Sequence, residues 1–71
     1  MSNQHYSKYI SFLARLLNEE ELPSEAKDHS LTGKYQDTRE LHISGDLLLI
    51  YFTTKTELVL IRIGTHSQLF N

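Results

Sequence analysis

RELHISGDLLLIYF, residues 39–52, is the stretch whose reading decides the architecture. Its first half alternates, with Leu41 and Ile43 on one side and Glu40 and His42 on the other, the period of a half-buried strand. Ser44-Gly45-Asp46 is a turn signal, because glycine takes positive φ at little cost and Ser and Asp bond to nearby backbone. Leu47 to Phe52 is then an unbroken apolar run bounded by turn residues, too short for a membrane span. It predicts a central strand covered on both faces, the second arm of a β-hairpin that displays His42 and Asp46.

A chain of 71 residues is expected to form a single domain over 1–71. At this size folding hides only about 60% of the unfolded chain's surface, so the core is thin. Cysteine is absent, which excludes a disulfide framework and a thiolate metal site and is compatible with a reducing compartment. No apolar leader and no membrane-length run is read.

Seven Lys and Arg against nine Asp and Glu leave a formal charge of −2, which provides no general basic field for gathering nucleic acid. The balance is uneven. Lys8 and Arg15 are outweighed by Glu19, Glu20, Glu21 and Glu25, whereas the part from Lys27 onward is neutral before its three histidines are counted. A polyanion site is therefore expected in the C-terminal part, strengthening as histidines protonate.

Tyr6, Tyr9, Ile10, Leu13, Leu16 and Leu17, with Phe12 on the flank of the stripe, follow the spacing of an amphipathic helix over about 3–21, with Ser2 or Asn3 as N-cap. Three glutamates at its C-terminal end oppose the helix dipole, and Pro23 pushes Leu22 out of the helical region. Its apolar stripe is expected to cover the sheet.

Residues 22–34 read as a connection, with one short strand starting near Lys34 or Tyr35 and running into the hairpin. Thr53 to Thr56 make the next turn, and Glu57 to Ile63 a further strand with Val59, Ile61 and Ile63 on one face and Leu58, Leu60 and Arg62 on the other. A sheet over about 35–63 and a tail at 64–71 complete an α+β fold, three to four antiparallel strands packed on one main helix.

His29, His42, Asp46, Arg62 and His66 fall at strand ends or in connections, where a scaffold can hold polar groups near one another and near solvent. Any one histidine alone reads as a surface or capping residue. The set matches no compact zinc spacing, so no metal and no cofactor is expected.

KDHSLTGKY at 27–35, RELHI at 39–43, DLLLIY at 46–51 and RIGTHSQLF at 62–70 resemble, in order and spacing, the YafQ branch of the RelE/ParE superfamily of toxins from bacterial toxin–antitoxin pairs. The resemblance implies a small antiparallel sheet packed on helices and metal-independent, ribosome-dependent cleavage of messenger RNA, hence a cytoplasmic site of action. It also implies a cognate antitoxin that holds the protein inactive. By the same resemblance His29, His42, Asp46 and His66 are the catalytic candidates. Arg62 and Phe70, with Lys34 and Arg39, are candidates for holding phosphate and RNA.

The chemistry explains why such residues are wanted. Cleaving RNA through its own 2′-hydroxyl needs a base for that proton, an acid for the leaving 5′-oxygen and positive charge against the phosphorane. Histidines, Asp46 and Arg62 supply these types, and Phe70 a surface for stacking a base; acid and base are not assigned among His29, His42, Asp46 and His66. Branch members usually begin with a strand and a helix ahead of the helix read here, and Leu47 stands where a tryptophan is frequent. A sheet face left uncovered would favour a homo-oligomer. The alternative reading is a catalytically weak or inactive relative that still binds an antitoxin or itself.

Overall fold

The computed structural model describes residues 2–70. Helix α1 (Asn3–Leu17) is followed by strands β1 (His29–Ser30), β2 (Arg39–Ser44), β3 (Leu47–Thr53) and β4 (Leu58–Thr65), and by a short helix α2 (His66–Phe70). The strands form one antiparallel sheet in the order β1-β2-β3-β4. The α+β architecture expected from the hairpin is what the chain adopts.

Helix α1 begins where expected, with the Ser2 hydroxyl accepting from the His5 amide at 3.2 Å, which satisfies one of the free N-terminal donors. It stops at Leu17 rather than near Glu21. The Glu20 amide returns to the Arg15 carbonyl and the Glu19 amide to the Leu16 carbonyl, with Glu19 at φ 56. This is a Schellman closure with glutamate in the left-handed position usually held by glycine. Arg15 then donates to the Glu21 carbonyl, so the three glutamates lie outside the helix. The stripe also turns: Phe12, expected on its flank, is the buried residue, while Tyr6, Ile10 and Leu17 stay exposed.

Phe12, Ala26, Leu41, Ile43, Leu49 and Tyr51 form the core between α1 and the sheet, joined by Tyr9, Leu13, Leu16, Leu47 and Leu58. On the opposite face Leu48, Ile50 and Leu69 make a second buried cluster, bordered by Leu31 and Tyr35. Residues Leu48 to Tyr51 are all buried, as the uninterrupted apolar run predicted. Ser44 pairs with Leu47, so Gly45 (φ 53) and Asp46 form a two-residue turn, with glycine where positive φ is needed.

Three expectations about the strands are corrected. No strand starts at Lys34 or Tyr35: residues Gly33–Tyr35 form a 3-10 turn, and the extra strand is the two-residue β1 at His29. Leu31 donates to the Thr38 carbonyl and Thr38 to that of Tyr35, and with Gly33 and Asp37 at positive φ these bonds close the connection on itself. In β4 the simple alternation fails, because Ile50 faces Arg62 while Tyr51 faces Leu60. Ile61 is the extra residue of a bulge, which puts Leu58, Leu60 and Ile63 on the helix side and Val59 and Arg62 on the other. Finally, the tail is structured: β4 runs to Thr65 and α2 follows directly.

Candidate active site

Cross-strand pairing places His29, Glu40, Ile50 and Arg62 opposite one another in a single row, with His42, Leu48 and Gly64 in the neighbouring row. Both rows lie on the face away from α1. The sheet register therefore brings together residues that are far apart in the chain.

Glu40 organises the first half of this face. It is buried, and its Oε1 lies 3.2 Å from His42 Nε2 and 3.9 Å from His29 Nε2. The Glu40 carboxylate is thus the nearest charged partner of His42 Nε2, an ion pair whenever that ring is protonated. At His29 the Nδ1 lies 2.7 Å from the Lys27 carbonyl, which only accepts, so Nδ1 is protonated and Nε2 keeps its lone pair in the neutral ring. The two rings are 6.5 Å apart, centre to centre. One buried carboxylate thus lies between two imidazoles, and one of them, His29, is also tied to a backbone carbonyl.

The second half is built on α2. Gly64 lets this helix approach: a Cβ there would meet Gln68 Oε1 at 2.7 Å and Leu69 Cδ2 at 3.5 Å. Gln68 Oε1 accepts from the Thr65 amide at 2.8 Å, and Leu69 is buried against Leu48 and Ile50. Asp46 Oδ1 accepts from the His66 amide at 3.4 Å, so the hairpin turn and the start of α2 meet. The His66 ring lies 5.0 Å from that of Phe70.

Tyr35 ties these parts to Arg62. Its hydroxyl donates to the Leu69 carbonyl at 3.1 Å and accepts from Arg62 at 3.3 Å. Its ring meets Phe70 edge-on at 5.5 Å, and the Lys34 ammonium lies 5.4 Å from the ring centre, within cation–π range.

Of the residues singled out from sequence, His29 and His42 are joined through Glu40, Asp46 with His66, and Arg62, Lys34 and Phe70 through Tyr35. Arg39 does not belong to the set. It lies on the helix side, where its guanidinium holds Asp28, at 3.2 and 3.3 Å through Nε and 3.2 Å through a terminal nitrogen. That carboxylate keeps the Arg39 guanidinium protonated even more firmly than usual. Asp28 also accepts from the Tyr51 hydroxyl at 2.6 Å. Burial, and then the adjacent carboxylate, push the Tyr51 phenol well above its ordinary range. A cleft lined by Leu16, Leu17, Arg39, Tyr51 and Leu58 is likewise on the helix side, away from the histidines.

Glu40 and Tyr35 were missed from sequence. The signal for Glu40 was present, since a glutamate two residues before a histidine shares its face in a strand. Tyr35, an aromatic in a polar connection, gave no comparable sign. Among the described residues no three His, Asp or Glu side chains are grouped closely enough to hold a metal ion.

The chain is thus a small α+β protein of one antiparallel sheet and one main helix, with His29, Glu40, His42 and Arg62 on the sheet face away from that helix. The family model described as the bacterial toxin of type II toxin–antitoxin systems, YafQ, matches residues 1–71, and the chain belongs to this family. The putative toxin YafQ of Haemophilus influenzae is 42% identical over 66 residues, covering 87% of this chain and 65% of the relative. The mRNA interferase toxin YafQ of Escherichia coli K12 is 40% identical over 63 residues, covering 86% and 68%. The chain therefore spans about two thirds of the length of these curated relatives. The E. coli DinJ–YafQ complex superposes with a TM-score of 0.83 at 33% identity, over 97% of this chain and 78% of that one.

Proposed function

We propose that the chain acts as the toxin of a toxin–antitoxin pair, an endoribonuclease that cleaves messenger RNA on the ribosome. The observation that carries the reading is that the sheet register sets His29, His42 and Arg62 on the face away from α1, while the hairpin turn brings Asp46 to the start of α2 at His66, in a chain whose E. coli relative is named an mRNA interferase toxin.

In this reading Asp46 and His66, both exposed and linked through the His66 backbone amide, supply the base and the acid. The Asp46 carboxylate takes the 2′-hydroxyl proton, and the 2′-oxygen attacks the phosphorus. The His66 imidazolium gives a proton to the departing 5′-oxygen. His29 and His42, oriented by Glu40, and Arg62, steadied by Tyr35, face the phosphorane with positive charge or N–H donors. Phe70, braced by Tyr35 and His66, offers its ring to a neighbouring base. No metal enters any step. The protein partner is an antitoxin, by analogy with the E. coli relative solved in complex with DinJ, and the site of action is the cytoplasm, where ribosomes are. No helix among the described residues is long and apolar enough to cross a membrane.

The test is cleavage of a defined message on translating ribosomes, with and without a transition-metal chelator that spares Mg²⁺. The expected result is scission unaffected by the chelator, leaving a 2′,3′-cyclic phosphate, and lost in Asp46→Asn and His66→Ala proteins of unchanged circular dichroism. Folded wild-type protein that binds an antitoxin but cuts nothing would overturn the enzymatic reading and favour the binding-only one.

A further inference from the structure

His29 sits in the least secured element of the sheet. Strand β1 has only two residues, both exposed, and its pairing with β2 is confined to His29↔Glu40 and Ser30↔Arg39. A strand this short at a sheet edge frays readily unless something else ties it down. Just before it, Lys27 adopts the left-handed conformation at φ 49, and its carbonyl is the partner of His29 Nδ1. Any loosening here releases the ring from Lys27 and from Glu40 together.

The tie is found on the other side of the sheet. Successive residues of an extended chain point to opposite faces, so with His29 directed at Glu40, Asp28 is directed toward the α1 side. There the Arg39 fork from β2 grips it, and the Tyr51 hydroxyl from β3 donates to it. The Asp28 side chain is 25% exposed and Tyr51 is buried at 1%, so water competes weakly for the Tyr51 bond, while the more exposed Arg39 fork adds its three hydrogen bonds from the solvent side. Two neighbouring strands thus converge on the residue immediately before His29.

We propose that Asp28, clamped by Arg39 and Tyr51 on the helix side, is a positioning residue for His29, fixing β1 so that the imidazole stays against Glu40 on the opposite face. Asp28 touches neither substrate nor the reacting atoms; it acts through the backbone that it shares with His29. The inference rests on the reading of His29 as part of the RNA-cleaving site.

The experiment compares wild type, Asp28→Asn, Tyr51→Phe, His29→Ala and the Asp28→Asn/His29→Ala double variant in the full chain. Cleavage kinetics are measured on ribosome-bound message, and long-range ¹⁵N–¹H spectra report the His29 tautomer. Loosening the clamp should lower kcat about tenfold or more while KM moves little. The double variant should be no slower than His29→Ala alone, because the two changes remove one interaction chain. In the spectra, the Nδ1–H form of His29 should give way to averaged tautomers in Asp28→Asn, and partly so in Tyr51→Phe. If Asp28→Asn does not fold, Tyr51→Phe, which removes one oxygen and keeps the packed ring, carries both measurements. A His29 tautomer unchanged in the clamp variants would overturn the proposal, as would fully additive losses in the double variant. Should His29→Ala cut at the wild-type rate, the role given to His29 fails, while the spectra still decide whether the clamp holds the ring.

Discussion

Replacing Leu69 by alanine tests how the second half of the site is held. Leu69 is completely buried and is the one residue of α2 in the cluster with Leu48 and Ile50. Truncating a buried leucine costs about 2–5 kcal/mol where the surroundings cannot relax. Here they can, because α2 has only five residues and Leu69 is the one of them that is buried. Once its anchor is gone, the helix can detach while β2 and β3 stay packed on α1, and the global loss cannot exceed the free energy of docking α2. The expected loss is therefore near the lower bound, about 2 kcal/mol, or about 8–16 °C in the thermal midpoint of so small a domain. Hydrogen exchange should show the amides of residues 66–70 losing protection, while those of β2 and β3 weaken only by the global amount. Message cleavage should fall more steeply than stability, because His66 and Phe70 ride on α2. Undiminished protection at 66–70 would refute the view that Leu69 anchors the helix. Full cleavage with α2 detached would remove His66 and Phe70 from the site.

Glu19 occupies a left-handed position at φ 56, and Glu19→Gly should raise stability by about 0.5–1 kcal/mol, read from urea unfolding, as backbone strain is relieved; a loss would mean that the glutamate side chain contributes something the geometry does not reveal. The raised pKa of the Tyr51 phenol, from burial and then its bond to Asp28, means that the folded state favours the protonated form. Its stabilising contribution is full below the free tyrosine value of about 10 and is lost progressively as pH rises beyond it. Wild type should therefore lose stability relative to Tyr51→Phe above that pH, and the difference between their tyrosinate absorbance titrations should place Tyr51 on the alkaline side; an ordinary titration midpoint would contradict the buried bond to Asp28. Ile10, Leu17, Leu60 and Ile63 are exposed, and β4 is an edge of the sheet, so self-association is expected to cover them. Sedimentation equilibrium at tens of micromolar should give a mass above the 8.3 kDa of one chain, and a clean monomer would disprove it.

Much of the fold was legible because it rests on patterns with a strong physical cause. The alternation of Leu41 and Ile43 with Glu40 and His42, the turn at Gly45 and the apolar run after it leave little choice but a hairpin with a covered second strand. What was not legible depends on closure between distant parts. Helix α1 ends at a backbone motif that accepts glutamate where glycine is usual, so composition gave no stop signal at Leu17. Strand β1 exists because Asp28 is held by Arg39 and Tyr51, and two residues carry no periodicity to read. Arg39 looked like one more cation near the site, but its position in β2 sends it to the helix side and into an ion pair. Glu40 was placed on the His42 side of the strand and its burial was not anticipated, because alternation alone says which residues share a face and not which face is covered.

The bulge at Ile61 shows how closely the site depends on register. Continuing the pairing of Phe52 with Val59 and Tyr51 with Leu60 without a bulge would set Ile61 opposite Ile50 and Arg62 opposite Leu49, on the helix side. The extra residue shifts the pairing so that Arg62 stands opposite Ile50, in the same row as Glu40 and His29, where Tyr35 can reach it. It also leaves Leu58 and Leu60 on one half of β4, and Ile63 on the other half, all turned toward the α1 side. A regular strand with this sequence would have to choose between an apolar helix side and an arginine on the face of Glu40 and His29. The bulge removes that conflict at the cost of one unpaired position, and such bulges are a recurrent means of re-aiming a side chain near a functional site. The division of the sheet into an α1 side and a side shared by Glu40, His42 and Arg62 is thus set by the pairing, and Asp28 with His29 repeats it at the other edge, one residue tied to the α1 side and the next delivered to the other.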